Sequence, residues 1–114
     1  MGPDFPLLFR LNGDEYLEGG LVLADVLRYA PLLVEAGADV LHVTATCFES
    51  STGSSPTFLQ PEATFVPLAA AVKRVVDVPI ITVGRLSNPV LAEQVLEEAK
   101  ADFISLGRAL LADL

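Results

Sequence analysis

A chain of 114 residues makes at most one domain of ordinary size. Its 15 acids outnumber 7 Lys and Arg, and the net charge of −8 with no basic run argues against nucleic acid as a partner. The single cysteine, Cys47, rules out a disulfide framework or a Cys/His zinc set within these residues. Apolar residues reach 52% but arrive in short blocks broken by Pro, Gly and acids, so no membrane span is expected. Met1-Gly2-Pro3-Asp4 lacks the basic region and apolar stretch of a secretory leader, and the expected location is cytoplasmic.

In chain order, Phe5 to Leu11 is a strand candidate, closed by the turn chemistry of Asn12, Gly13 and Asp14. Leu23, Val26, Leu27, Ala30, Leu33 and Val34 then recur at helical spacing, with Gly37 as C-terminal cap and Pro31 expected to kink the helix. Val40 to Thr44 is a second strand. A loop rich in Ser, Thr, Gly and Pro follows from Cys47 to Thr64, a length that favours a functional or mobile segment. The next helix carries Phe65, Leu68, Ala69, Val72, Val75 and Val76 on one face, with Pro67 in its first turn. Pro79 to Val83 is the third strand. Asn88-Pro89 reads as an N-cap followed by Pro at the first helical position, and Leu91, Val95, Leu96 and Ala99 face inward. Phe103 to Leu106 is the fourth strand, and Ala109 to Leu114 opens another helix.

Strands apolar on both faces, alternating with helices, predict a parallel sheet covered by helices. Four βα units make half of a (β/α)8 TIM barrel, which needs about 250 residues. An open four-stranded sheet is the competing architecture.

The main chemical signal is a pair of Gly-Arg steps. Gly84-Arg85 ends the third strand and Gly107-Arg108 ends the fourth, each just before a helix. In barrels the loops after the last two strands commonly cradle phosphate. Glycine lets the backbone approach an anion closely, N–H groups at a helix start point toward it, and arginine adds a bidentate charged partner. The same residues also suit tight βα turns with surface arginines. Arg10, between Phe9 and Leu11, faces a ligand, pairs with a nearby acid or reaches solvent from the strand end, since charge within a strand is expensive. His42 reads as a hydrogen-bonded core histidine more readily than as a catalyst. Thr44, Thr46 and Cys47 stand where a barrel's active face would be and could touch substrate or flavin, though polar strand-end capping explains them more readily. Glu93, Glu97 and Glu98 form a solvated helix face. GxGxxG, GxxxxGK[ST] and metal-ligand clusters are missing, so a Rossmann NAD site has no support.

Several strings carry a family resemblance. "FPLLFRLNGDEYLEGGL", from Phe5, resembles the fifth strand of the Old Yellow Enzyme class of FMN-binding TIM barrels, also called the NADH:flavin oxidoreductase family. "EAGADVLHVTA" resembles the sixth strand with its preceding helix. "VGR…NP…AE" and "ADFISLGRALLAD" resemble the last two strands. The similarity covers nearly the whole chain and is nearest to the branch of NADH oxidases, dienoyl-CoA reductases and bile-acid enoate reductases. It implies that residues 1–114 are a C-terminal half-barrel segment, strands five to eight, carrying the FMN phosphate site. It further implies that Arg10 contacts the flavin ring near N1 and O2, that Arg85 reaches the phosphate region, that Gly107 and Arg108 bind the phosphate, and that Gly84 lends backbone contact. In the complete protein NAD(P)H would reduce FMN, and the flavin would pass hydride to an activated alkene or another acceptor. The family's histidine anion site, its tyrosine proton donor and its iron–sulfur cysteine cluster have no counterpart among these residues, so no catalytic residue is assigned. Pro31 departs from the family pattern.

The competing functional readings are a non-catalytic half-barrel that binds a phosphate ligand or self-associates, and a sugar- or amino-acid-phosphate barrel. An uncovered half-barrel has two open strand edges. A homo-oligomer or a complementing N-terminal half-barrel is therefore the expected partner.

Overall fold

The computed structural model describes residues 2–46 and 61–113. Most of the expected long loop, Cys47 included, lies outside the described residues. The elements are β1 (Leu8–Asn12), α1 (Leu23–Glu35), β2 (Val40–Thr44), α2 (Val66–Lys73), β3 (Ile80–Val83), α3 (Pro89–Glu97), β4 (Phe103–Ser105) and α4 (Arg108–Ala112). All strand pairs are parallel, and the sheet order is the chain order, β1-β2-β3-β4.

One face of this sheet is covered. Leu11, Leu41, Val43 and Ile80 pack with Val26 and Ala30 of α1 and with Leu68, Ala69 and Val72 of α2. Ile104 packs with Leu86, Val95 and Ala101. Strand side chains alternate between faces, so Arg10, His42, Ile81 and Phe103 form one row on the opposite face, and Asn12, Thr44, Val83 and Ser105 the next row toward the strand ends. A doubly wound sheet places helices on both faces. Sequential order with α1, α2 and α3 on one face is an arc of a TIM barrel, and the open-sheet alternative falls.

Local chemistry explains most boundaries. β1 starts at Leu8 rather than Phe5 because Pro6 has no N–H to donate and Leu7 is engaged by Asp39. It extends to Asn12, which pairs in register with Thr44. The α1 helix runs through Pro31 to Glu35. Pro31 lies on the exposed side, where water can satisfy the carbonyl that its missing N–H would have engaged. Gly37, at φ 121°, closes the helix: its N–H donates to Val34 and that of Ala38 to Leu33. The α2 helix stops at Lys73, so Val75, expected on the inner face, is exposed. The Asn88 side chain accepts from the Val90 N–H at 3.0 Å, as a cap should.

Two aspartates tie the strand starts together. The Asp39 carboxylate accepts from the Leu7 N–H at 2.7 Å, and its own N–H donates to the Leu7 carbonyl at 2.9 Å. Asp102 repeats this with Ile80, at 2.8 Å each way. The segments "EAGADV" and "EAKADF" place both residues, a repeat that was not evident from the sequence. Asp102 also pairs with Lys73 at 2.8 Å, which ties α2 to the β3–β4 edge. Part-burial raises the Asp102 pKa, but the Lys73 contact and the Ile80 N–H outweigh it and hold the carboxyl below its ordinary value. Asp102→Ala leaves the Ile80 N–H without its partner. The expected loss is about 1–3 kcal/mol, read as a lower urea midpoint with unchanged slope.

Candidate anion site at the strand ends

The β3–β4 register sets Val83 opposite Ser105. The two chains then leave the sheet side by side. Gly84, Arg85, Leu106, Gly107 and Arg108 line one cleft of about 670 Å³, with Phe65, Ser87 and Ser105. The structure thus brings together four of the five residues singled out as a binding set. Phe65, Ser87 and Ser105 had not been singled out. Their signal was position alone: two serines beside the Gly-Arg steps, and an aromatic just before α2.

The two glycines do different things. Gly84 has φ 108°, and a Cβ there would stand 2.8 Å from the buried Phe65 ring. It is needed for the fold. Arg85 follows at φ 51°, also left-handed, and its carbonyl accepts from the Ala63 N–H at 3.0 Å. Non-glycine residues in this region cost of order 1–2 kcal/mol, and such outliers concentrate at functional sites. Gly107 caps α4 at φ −115°, and a Cβ there would meet nothing within 4 Å. Packing does not require glycine at that position, although its ψ of −91° lies outside the regions that L-residues favour. Open space beside a backbone flanked by arginine is what a bound anion would fill.

Arg10 lies elsewhere, on β1, with His42 as its register partner on β2. It stands exposed on the uncovered face, three strands from Arg108. His42 is half-buried and its Nε2 finds no hydrogen-bond partner among the described residues. The core-histidine expectation, a satisfied imidazole, is therefore corrected: Nε2 is shielded from solvent yet unpartnered among the described residues. Burial first, and the Arg10 cation second, hold its pKa below 6.5. Thr44 and Thr46 are both buried, and Thr46 adopts φ 76° while its N–H donates to the Asp14 carbonyl at 2.7 Å. With the Gly13 N–H donating to Thr44 at 2.8 Å, this locks the β1 and β2 exits together. Tyr16 is on the same rim. Burial and then the Asp14 carboxylate raise its pKa, so its hydroxyl keeps its proton.

Among the described residues no helix is long and apolar enough to cross a membrane, and none groups three metal-ligating side chains.

Two predictions follow from this geometry. Gly84→Ala should lower the melting temperature through strain and the Phe65 clash, whereas Gly107→Ala, which meets no clash, should lower it less and weaken anion binding, read by inorganic phosphate titration. For His42, the unfolded imidazole takes up a proton near pH 6.5 before the folded one does. Stability is therefore full above that value and declines as pH falls through it. Urea midpoints on either side of that pH should show this decline, and His42→Gln should remove it.

No protein-family model matches the chain. It is 43% identical over 117 residues to an NADH oxidase of Thermoanaerobacter brockii, covering 99% of this chain and 17% of that protein. It is 35% identical to a cinnamate reductase of Clostridium sporogenes, covering 98% of this chain and 19% of the relative. An NADPH dehydrogenase of Halalkalibacterium halodurans is 31% identical over 95% of this chain and 30% of its own length. A solved 2-naphthoyl-CoA reductase in complex with 2-naphthoyl-CoA superposes with a TM-score of 0.82 at 28% identity, over 90% of this chain and 16% of that one. The chain thus spans between about a sixth and a third of the length of these relatives. All are NAD(P)H oxidoreductases of the Old Yellow Enzyme type or share their fold, and this chain belongs with that family as a C-terminal segment of its barrel.

Proposed function

We propose that this chain is the flavin-phosphate-binding segment of an FMN-dependent NAD(P)H oxidoreductase, and that residues 1–114 act as one binding unit. The observation that carries the proposal is the single cleft lined by both Gly-Arg steps, with open space beside Gly107. In that cleft Arg85 and Arg108 would hold the phosphate by charge-assisted hydrogen bonds. Gly84 and Gly107 would let backbone N–H groups approach it. Arg10 would stabilise negative charge at the far edge of the ring. Bound there, the flavin would supply two-electron transfer between NAD(P)H and an acceptor such as an activated alkene.

The separation of the two sites favours a long ligand. Arg10 lies on β1 and Arg108 opens α4 just past β4, so three strand spacings of about 4.8 Å, or roughly 14 Å around the sheet, separate their elements. A sugar phosphate anchored at the Gly-Arg cleft is too short to meet Arg10, while a phosphate joined by a chain to a flat ring system can meet both. The row from Arg10 to Phe103 would then face the interior of the complete barrel, covered by the remaining strands of the full-length protein. The oxidase, reductase and dehydrogenase names of the relatives agree with such a role.

Flavin fluorescence during FMN titration tests this reading. Saturable quenching is expected, and Arg108→Ala should weaken it about tenfold or more, since a hydrogen bond to a charged group is worth about 1.5–3 kcal/mol. Quenching that is absent, or unchanged in the variant, would overturn the assignment.

A further inference from the structure

The neutral, unpartnered imidazole of His42 is not used by the cleft. It lies on the uncovered face, in register with Arg10 on β1. On its other side the same row holds Ile81 and Phe103, both apolar. Asn12 and Thr44 stand in the row above, and neither is charged. Arg10 is the only other ionisable side chain that the four strands present on this face. Nε2 is shielded from solvent and finds no partner among the described residues. A buried polar atom left so is costly.

A guanidinium has five N–H donors and no acceptor, whereas a neutral imidazole has one acceptor nitrogen. Strands in register are about 4.8 Å apart, within reach of a long arginine side chain. From this register and the orphaned atom we propose that His42 is a positioning residue for Arg10: an Arg10 rotamer swung in from solvent donates an N–H to the unprotonated Nε2, which holds the guanidinium over the sheet face ready for a ligand. The ring proton then sits on Nδ1. The cation beside it disfavours a second positive charge on the ring, which keeps the acceptor available. Without His42, the exposed Arg10 must give up rotamer freedom to reach a ligand, and affinity falls by that ordering term. The inference deepens the flavin reading and rests on it for its consequence, while its structural core stands apart from any ligand.

His42 is the chain's only histidine, so its imidazole nitrogens give one unambiguous set of signals in a long-range proton–nitrogen spectrum. Across a pH titration the neutral ring is expected as the Nδ1–H tautomer, with a midpoint below 6.5. In Arg10→Met the midpoint should rise only part of the way back, because burial, the larger cause, remains. An Nε2–H tautomer, or a midpoint that ignores Arg10→Met, would overturn the proposal, and neither result needs flavin. The second measurement is FMN affinity. His42→Gln keeps an acceptor near the Nε2 position and should bind nearly as the parent does. His42→Leu should bind about three- to tenfold more weakly, the worth of one hydrogen bond. Equal affinity in the two variants would count against the positioning role. Failure of the parent to bind FMN would sink the flavin assignment and leave the imidazole result to decide this one.

Discussion

The register between neighbouring parallel strands is the constraint on which the rest of the molecule depends. It is fixed at the strand starts, far from the cleft, where Asp39 grips Leu7 and Asp102 grips Ile80. A parallel pair slipped by one residue turns every side chain to the other face. Arg10 and His42 would then point into the helices, and Leu41 and Val43 into the open. The same slip would separate the two Gly-Arg steps that the Val83–Ser105 pairing sets side by side. Stability is thus built at one end of the sheet and chemistry displayed at the other, the division of labour usual in barrels of this kind.

The cleft shows how backbone strain and side-chain charge combine. Gly84 and Arg85 are both left-handed, which turns the chain sharply at the end of β3. Phe65 underlies the turn and demands glycine there. At Gly107 no side chain stands in the way of a Cβ. The contrast separates a glycine that packing requires from one that it does not, a distinction that sequence cannot make.

The uncovered face is the other half of the picture. Parallel sheets are ordinarily buried on both sides. Here Leu8 and Phe103 remain more than half exposed on a face that also holds Arg10 and His42. A layer mixing apolar side chains with one cation and one neutral imidazole suits a barrel interior that meets a polar, ring-bearing ligand. The relatives, of which this chain spans a sixth to a third, are several times longer.

Much of this was legible from the residues alone. Helical periodicity located α1 through α3, Asn88-Pro89 and Gly37 marked their ends, and the alternation of elements gave a parallel sheet. The two Gly-Arg steps and Arg10 were visible because charge and glycine at strand ends are chemically conspicuous. Other features depended on partners distant in sequence. Which strand face the helices cover, and hence that Arg10 and His42 share the bare one, follows from packing between α1, α2 and the sheet. The orphaned Nε2, the Phe65 floor beneath Gly84 and the paired aspartate grips arise only when strands some 20 to 30 residues apart are set side by side. Local pattern determined which elements form and where charge must be explained. Only the tertiary register decided what those charges face, because side-chain direction in a strand is fixed by pairing rather than by the residue's own identity.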